Sequence, residues 1–354
     1  MHCLITAYVN LNPNHLISCV SLKCVRSLVF GGYKMASWHR ELKEYLRIIK
    51  CRFKRQKTLT PAETNAAASA LKSLSISEIA GGENKVIWMF WDSGLESAPD
   101  VVKLSHSSWV NQNPDYKIVL LDNQTIQQHL GFDFFAVFKV MTVDLGAAGK
   151  SDLLRLYLLN RFGGVWADAT TFCKQPLTTW LDISTTGFFC FREKQSDDRQ
   201  LVSWFLAAHK GNAIIQDLLQ ASLSYLTKPR QVVLDIRGLT STRLLAKNTD
   251  LISAEGSGKL LLLLLENKYC APYFWMFYLF NETVKQPQHQ SVWQQIMLQN
   301  NQYAELDDDF DVFCASVVAK QTYREKYTVQ ALYQQRYQYM LNLNTENKEL
   351  VDGK

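Results

Sequence analysis

The sequence predicts an α/β protein, in which a mixed but mostly parallel sheet carries helices on its faces. Three observations lead to this class. Two apolar runs of strand length, Lys85–Trp91 and Tyr116–Leu121, flank a segment with the pattern of a helix. A strongly apolar helix pattern over residues 150–162 is followed by a double glycine and another short apolar run. The chain has 354 residues and is 47% hydrophobic, which is enough to bury a large core.

The first predicted unit runs from strand to helix to strand. The helix, Pro99–Val110, has a proline near its start, and Asn113-Pro114-Asp115 then turns the chain. Two strands joined in this way normally pair in parallel through a right-handed crossover. The unit therefore places Asp92 and Asp122, which follow the two strands, at the same edge of the sheet.

The segment Lys150–Cys173 carries the strongest candidates for a functional site. Asp152 and Arg155 are three residues apart, so a helix presents them on one face, among apolar neighbours. Gly163-Gly164 can end that helix in a left-handed conformation. The short apolar run that follows delivers Asp168 at its carboxyl end, where α/β proteins bind ligands.

A structural interpretation of these charges stays open. A buried aspartate and arginine are often an ion pair, and an aspartate after a strand is often a turn residue or a helix cap. Burying two carboxylates and an arginine in one apolar unit is costly without a partner or a ligand. The combination therefore favours a functional site.

The remaining segments continue the alternation. Gly187–Arg192 is predicted to be a strand, and Val232–Ile236 a possible one. Tyr273–Phe280 is a core strand or a buried helix. Helices are predicted for Leu201–His209, Ala213–Leu226, residues 289–300 and Ala315–Asn342.

The residues of the central segment resemble those of a known family. The string K-S-D-L-L-R-x-Y-x-L-x-x-x-G-G-V-W-x-D-A-T is similar to the sugar-nucleotide site of DXD-type glycosyltransferases, most closely the capsular polysaccharide synthesis proteins. The resemblance extends through KVIWMFWDSG at 85–94, SWVNQNPDYKIVLLD at 108–122 and PYFWMFYLF at 272–280. It implies a GT-A-like, Rossmann-type nucleotide-sugar domain over about 85–285.

The resemblance also implies an activity and a set of site residues. The activity is transfer of a sugar from a nucleotide-sugar donor, expected to be a UDP-sugar, to a glycan or lipid-linked acceptor in surface polysaccharide synthesis. Asp152, Arg155 and Asp168 are the expected catalytic residues. The residues expected to bind substrate are Trp91, Asp92, Ser93, Asp122, Asp152, Arg155, Gly164, Ala169, Thr170 and Trp275. Trp91 and its aromatic neighbours can also be plain core residues.

A divalent ion, Mn²⁺ or Mg²⁺, is the expected cofactor, held by Asp168 and Thr170. Thr170 stands where the family motif has its second acid, and its hydroxyl is neutral. We therefore expect weaker binding of the metal or help from Asp92 or Asp122. A metal-free variant in which Arg237 or Arg243 meets the diphosphate stays open, as does surface placement of both.

The amino-terminal part of the chain is basic. Residues 1–57 contain eleven Lys/Arg and two Glu, which gives this segment a net charge of 11 − 2 = +9. The whole chain has a net charge of +5, so the remaining residues carry 5 − 9 = −4. The net negative charge of residues 58–354 argues against a basic nucleic-acid-binding domain there. Ser37 can cap a helix with Leu42, Tyr45, Leu46, Ile49 and Phe53 on one face and basic residues elsewhere. Such a helix either packs on the domain or contacts anionic lipid.

The eight dispersed cysteines have no zinc-binding spacing, and no run reaches the roughly 20 apolar residues of a spanning helix. We therefore expect reduced thiols and a cytoplasmic protein, with possible attachment to the inner face of the membrane. The expected organisation is an extension at 1–34, a basic helix and linker at 35–84, a catalytic domain at 85–285 and a helical region at 286–354. Met35 is a possible start of the native chain.

Two other classes compete with the transferase. One is a carboxylate-based metal phosphohydrolase, which would need more acids or histidines near Asp168. The other is a catalytically silent, membrane-associated partner in polysaccharide assembly, which the threonine at position 170 makes conceivable.

Overall fold

A computed structural model describes residues 32–352, except for 195, 197, 248 and 254–256. The possible start of the native chain at Met35 concerns residues 1–34, and most of these lie outside the described residues. The chain divides into two compact units, Met1–Arg47 and Ile48–Lys354. The described part of the first unit belongs to a single helix. The four-part organisation expected from the sequence stays a prediction.

The secondary structure alternates between helices and strands along most of the chain. The helices are α1 (Gly32–Cys51), α2 (Pro61–Leu74), α3 (Asp100–Gln112), α4 (Thr125–Leu130), α5 (Ala147–Phe162), α6 (Ala213–Thr227), α7 (Leu239–Leu245), α8 (Lys259–Glu266), α9 (Trp275–Val284), α10 (Pro287–Met297), α11 (Phe310–Ala315), α12 (Glu325–Thr328) and α13 (Ala331–Asp352). The strands are β1 (Val86–Phe90), β2 (Lys117–Leu121), β3 (Val143–Asp144), β4 (Gly164–Ala167), β5 (Thr171–Cys173), β6 (Phe188–Phe191), β7 (Val202–Ala208), β8 (Leu234–Arg237), β9 (Cys270–Pro272), β10 (Tyr303–Ala304) and β11 (Val318–Lys320).

The main sheet has five strands in the order β2-β1-β4-β7-β6. Strand β1 pairs in parallel with β2 and β4, while β7 runs antiparallel to β4 and β6. The predicted α/β class and the parallel β1-α3-β2 unit are confirmed. Two of the four pairings in this sheet are antiparallel, and five of the eight described strand pairings in the three sheets are parallel, which agrees with the predicted mixed, mostly parallel arrangement.

One segment of the main sheet differs from the prediction. The sequence predicted a helix over Leu201–His209, but Val202–Ala208 is strand β7, and all seven of its residues are buried. It lies between β4 and β6 inside the sheet. A strand with both faces covered is a continuous apolar run, which hydrophobic periodicity cannot distinguish from a buried helix.

Helix α5 and strand β4 are joined by the two glycines, as predicted. Gly163 has φ +70 and donates its N–H to the Leu159 carbonyl at 3.0 Å, which ends α5. Gly164 has φ +99, and a Cβ on it would lie 2.5 Å from the Val86 carbonyl oxygen. Glycine at 164 therefore lets the start of β4 approach β1 closely.

Two smaller sheets complete the fold. One has the order β10-β11-β5, with β11 antiparallel to β5 and Lys320 opposite Thr171. The other is parallel, in the order β3-β8-β9. Strands β10 and β11 lie in the region predicted to be helical. They bring the carboxyl-terminal part of the chain against the segment that follows Asp168.

Helix α1 begins and ends earlier than predicted, because it stops at Cys51 and the predicted apolar face continues to Phe53. It begins at Gly32, so Ser37 lies inside it and cannot be its N-cap. The five predicted apolar side chains are exposed: Leu42 by 39%, Tyr45 by 60%, Leu46 by 57%, Ile49 by 43% and Phe53 by 65%. A search of the described helices finds none that could cross a membrane.

Candidate active site

The central sheet and helix α5 position the predicted catalytic residues. Asp168 directly follows β4, and its N–H donates to the Trp204 carbonyl on β7 at 2.9 Å. Asp152 and Arg155 lie on α5 and are both buried. The Gly163-Gly164 turn folds α5 back on β4, so the three side chains meet as the sequence predicted.

Arg155 links the two aspartates. Its Nη1 lies 2.9 Å from Asp152 Oδ1, and its Nη2 lies 3.0 Å from Asp168 Oδ1. Nη1 also donates to the Ser203 carbonyl at 2.8 Å, and the guanidinium lies over the Trp166 ring at 5.1 Å. The Arg155 side chain is only 4% exposed, so these contacts fix it in one position.

The Asp168 carboxylate has three partners. Oδ1 accepts from Arg155 and, at 2.9 Å, from Trp166 Nε1, while Oδ2 accepts from Lys320 Nζ at 2.6 Å. Burial raises the pKa of the Asp168 carboxyl, but the charges of Lys320 and Arg155 outweigh it and hold that pKa below its usual value. Asp168 is therefore ionised at neutral pH.

Asp152 has a different electrostatic environment. Burial raises the pKa of its carboxyl to about 6, against the opposing charge of Arg155. The negative charge of Asp168 adds to the rise. The two aspartates therefore titrate in different pH ranges, although they share one arginine.

Two further charged residues come from the carboxyl-terminal region, where no sequence motif indicated a functional site. Lys320 is the last residue of β11, and its side chain is 18% exposed. Glu305 accepts a hydrogen bond from Trp204 Nε1 at 2.8 Å, and burial raises the pKa of its carboxyl. Strand β11 pairs with β5, whose residues are 145 or more positions away, and β10 pairs with β11 beside it. These pairings bring both residues to the site, so no local motif could have found them.

These side chains line one cavity of about 330 Å³. It lies at the carboxyl end of β4, between the sheet, α5 and the start of α9. Its wall consists of Ala148, Asp152, Arg155, Asp168, Glu193, Arg199, Val202, Ser203, Trp204, Tyr273, Phe274, Phe277, Glu305 and Lys320. The charged groups and the aromatic rings together form a wall suited to a ligand with phosphates, hydroxyls and a flat ring.

The residues after β1 and β2 lie together at one edge of the sheet, as predicted. The Asn123 N–H donates to the Asp92 carbonyl at 3.2 Å. Asp122 Oδ1 accepts from the backbone N–H of Thr125 at 2.7 Å, so this carboxylate caps the start of α4. Trp91 packs edge-on against Tyr323 at 5.3 Å. None of Trp91, Asp92, Ser93 and Asp122 is among the described residues that line the cavity.

Three other predicted contacts lie away from the cavity. Gly164 begins β4, at the opposite end of that strand from Asp168, and serves the close approach to β1. Ala169 is buried in the core. Trp275 is fully buried and stacks on Tyr225, whereas its neighbours Tyr273, Phe274 and Phe277 reach the cavity.

The two arginines considered for the diphosphate have other positions. Arg237 is buried beside Asp235 and Cys51, with Nη1 3.3 Å from Asp235 Oδ2 and Nη2 3.2 Å from the Cys51 sulfur. Arg243 donates to the Ser196 hydroxyl at 3.2 Å. The cations on the cavity wall are instead Arg155, Arg199 and Lys320.

The residues at the expected metal position do not fit a divalent ion. Both oxygens of Asp168 already accept hydrogen bonds from cations, and Thr170 is buried and neutral. A Mn²⁺ or Mg²⁺ site needs several oxygen ligands, normally including free carboxylates. Across residues 32–352, apart from the six undescribed positions, no group of three or more His, Cys, Asp or Glu could hold a metal.

The fold and the cavity define a class: an α/β protein with a buried carboxylate–arginine–carboxylate cluster at the end of a central strand. Residues 32–237, more than half of the chain, match the family described as capsular polysaccharide synthesis protein. The chain belongs to this family, which confirms the resemblance found in the sequence. The matched part contains Asp152, Arg155 and Asp168, but it ends before Glu305 and Lys320.

Several known proteins are similar to parts of the chain. O-glycosyltransferase braB of Annulohypoxylon truncatum is 28% identical over 155 residues, which are 39% of this chain and 36% of the relative. Glycosyltransferase afumC of Aspergillus fumigatus is 31% identical over 100 residues, 25% of each chain. Putative glycosyltransferase HOC1 of Saccharomyces cerevisiae is 22% identical over 150 residues, 38% of this chain and 37% of the relative. The chain thus spans about a quarter to a third of the length of these relatives.

Among solved structures, the chain is similar to the PaToxG glycosyltransferase. The TM-score is 0.32 at 15% sequence identity, and the match covers 72% of this chain and 94% of the other.

Proposed function

We propose that the protein is a glycosyltransferase that moves a sugar from a nucleotide-sugar donor to a glycan or lipid-linked acceptor in capsular or other surface polysaccharide synthesis. The observation that carries this proposal is the Asp152–Arg155–Asp168 cluster on the wall of one cavity. Membership of the family and the glycosyltransferase names of the relatives support it. A UDP-sugar is the donor to test first.

The charges of the cluster suit the reaction. Breaking the bond between a sugar and a diphosphate leaves positive charge on the sugar and two negative charges on the leaving group. The Asp152 carboxylate accepts hydrogen bonds from hydroxyls of the sugar. Arg155 holds that carboxylate in place, and Asp168 fixes the guanidinium from the other side.

The direct test is a screen of the purified protein against a panel of nucleotide sugars, with and without Mn²⁺. We expect at least one donor to release its nucleoside diphosphate, and we expect Asp168→Asn to remove that release. A wild-type protein that neither binds nor cleaves any donor in the panel would contradict the proposal.

The same screen separates the two competing classes. A silent assembly partner would bind a donor without releasing the nucleotide, and a phosphohydrolase would split the diphosphate into a nucleoside monophosphate and a sugar phosphate. The phosphohydrolase would also need clustered metal ligands, and the described part of the chain has no group of three His, Cys, Asp or Glu that could supply them.

We infer that helix α1 places the protein on an anionic membrane. Its exposed apolar residues include Leu46 and Ile49, and its other exposed residues include the bases Arg47 and Lys50 together with one acid, Glu41. An amphipathic helix of this composition binds lipid through apolar contact and electrostatic attraction. A separate cavity of about 510 Å³ has a mostly basic lining. The bases that line it are Lys54, Arg55, Lys57, Lys139 and Lys150, and the acids among its lining residues are Glu63 and Asp144.

A vesicle flotation assay tests the membrane contact. Leu46→Gln combined with Ile49→Gln should release the protein from anionic vesicles. The control is Leu298→Gln, because Leu298 is 88% exposed but lies outside α1. Equal flotation of the wild type and the α1 variant would contradict the membrane contact.

A further inference from the structure

Lys320 occupies the position where a sugar-nucleotide site of this kind is expected to hold its metal ion. Its Nζ lies 2.6 Å from Asp168 Oδ2, on the side of the carboxylate that faces away from Arg155. Thr170 replaces the second acid of the motif and offers no charge to a cation. A protein cation therefore stands beside the one carboxylate that the motif retains.

The backbone holds Lys320 in this place. Strand β11 pairs with β5 so that Lys320 lies opposite Thr171, and the N–H of Gln321 donates to the Thr170 carbonyl at 2.7 Å. The Lys320 side chain is only 18% exposed and lines the cavity. The contact with Asp168 is thus built by strand pairing and is not a chance encounter of two surface side chains.

We propose that Lys320 acts in place of a divalent ion: it binds the diphosphate of the donor and stabilises the departing nucleoside diphosphate. This inference rests on the proposed glycosyltransferase function. Asp168 accepts one of the three ammonium hydrogens, which leaves two for phosphate oxygens. Asp168 then serves to orient Lys320 and Arg155 rather than to hold a metal.

The reaction balances without a metal. The bond between the anomeric carbon and the phosphate oxygen breaks, and its electron pair stays on the diphosphate beside Lys320. The acceptor's hydroxyl oxygen forms the new bond to the same carbon, and its proton passes to the released diphosphate. No oxidant or reductant is needed.

The charges on the cavity wall show why the lysine matters. The wall has four acids, Asp152, Asp168, Glu193 and Glu305, against three bases, Arg155, Arg199 and Lys320. Without Lys320 the formal charge of these groups would go from 3 − 4 = −1 to 2 − 4 = −2, which would increase the repulsion of an anionic diphosphate. Lys320 therefore lowers the electrostatic cost of placing a nucleotide beside these acids.

The test is calorimetric titration of the full chain with UDP and with GDP, after treatment with a chelator and again with Mn²⁺. We expect the wild type to bind one of the two nucleotides in the chelator. Lys320→Met should weaken that binding by about tenfold or more, because a charge-assisted hydrogen bond is lost. Lys320→Arg should retain most of it, and Lys326→Met is the matched control at an exposed lysine.

Three results decide the matter. Wild-type binding that appears only after Mn²⁺ is added would overturn the inference, and so would a Lys320→Met variant that binds like the wild type in the chelator. If the wild type binds no nucleotide and no nucleotide sugar with or without metal, the glycosyltransferase proposal itself fails. Should Lys320→Met be poorly folded by calorimetric unfolding, Lys320→Gln provides the second neutral variant.

Discussion

Two clusters in this protein have the same make-up, two aspartates with one arginine and one lysine. The cavity cluster consists of Asp152, Asp168, Arg155 and Lys320. The linker cluster consists of Asp144, Asp235, Arg237 and Lys54. In the linker cluster Lys54 Nζ lies 2.6 Å from Asp144 Oδ2 and 2.5 Å from Asp235 Oδ1, so its contacts are as close as those in the cavity.

The clusters differ in burial. Side chains of the cavity cluster are 4–25% exposed, whereas Lys54 is 36%, Asp235 34% and Asp144 60% exposed. Arg237, at 7%, is the one member of the linker cluster that is as buried. The linker cluster ties the chain after α1 to strands β3 and β8, and part of it lines a cavity of about 510 Å³, larger than the one beside Asp168. Neither the residue types nor the cavity volume distinguishes the candidate active site from the linker cluster. What distinguishes it is the burial of both carboxylates around one arginine.

The largest expected difference between the clusters is in turnover. Asp168→Asn keeps the size of the side chain but removes the charge that orients Arg155 and Lys320. Donor turnover should fall by at least about a hundredfold, equivalent to roughly 2.7 kcal/mol of transition-state stabilisation. Asp235→Asn is the matched change in the linker cluster and should cause no comparable loss. If steady-state assays showed similar losses of donor turnover in the two variants, the two clusters would not differ in function.

A smaller effect is expected from pH. The raised pKa of Asp152, about 6, means that its carboxylate is present above pH 6 and is lost as the pH falls through that value. Affinity for the nucleotide sugar should therefore be constant from pH 7 upward and fall toward tenfold weaker at pH 5. Asp152→Asn should bind weakly at every pH. Titrations at several pH values check this, and an equal pH dependence in both proteins would assign the titration to another group.

The last comparison concerns stability, and the smallest change of all is expected at Lys54 in the linker cluster. Lys54 is more than a third exposed, and ion pairs of this kind contribute about 0–1 kcal/mol. Lys54→Met should lower the free energy of unfolding by no more than that. Arg155→Met should cost about 3–5 kcal/mol, because it leaves two carboxylates without their shared partner in a buried site. Chemical denaturation of the two variants compares them directly, and equal losses would show that burial does not separate the clusters.

The sequence predicted the parts of the site that local structure creates. Asp152, Arg155 and Asp168 lie within one helix–turn–strand segment, where helical spacing and a double glycine determine the geometry. Lys320 was missed because it reaches Asp168 through the pairing of β11 with β5, and residues so far apart leave no periodic signal. The sequence also placed Trp275 at the substrate, since a dense aromatic run does not reveal which ring points into the core.

Local and distant contacts also differ in how well the sequence predicts the elements of the fold. The β1-α3-β2 unit was predicted correctly because turn residues separate runs of clear length. Strand β7 was predicted as a helix because burial of all its residues removes the alternation that marks a strand. The sequence alone therefore could not predict which distant segments contact each other.

The most direct measurement is paired calorimetric titration of the wild type and Asp152→Asn with a UDP-sugar and with free UDP. If the cavity is the donor site, the variant should bind the UDP-sugar about tenfold or more weakly and bind UDP nearly as the wild type does, because free UDP lacks the transferred sugar whose hydroxyls this carboxylate holds. Its melting temperature should change little, since Arg155 keeps Asp168 and the Ser203 carbonyl. A variant that melts far lower and still binds the UDP-sugar normally would show that Asp152 and Arg155 are only a structural ion pair.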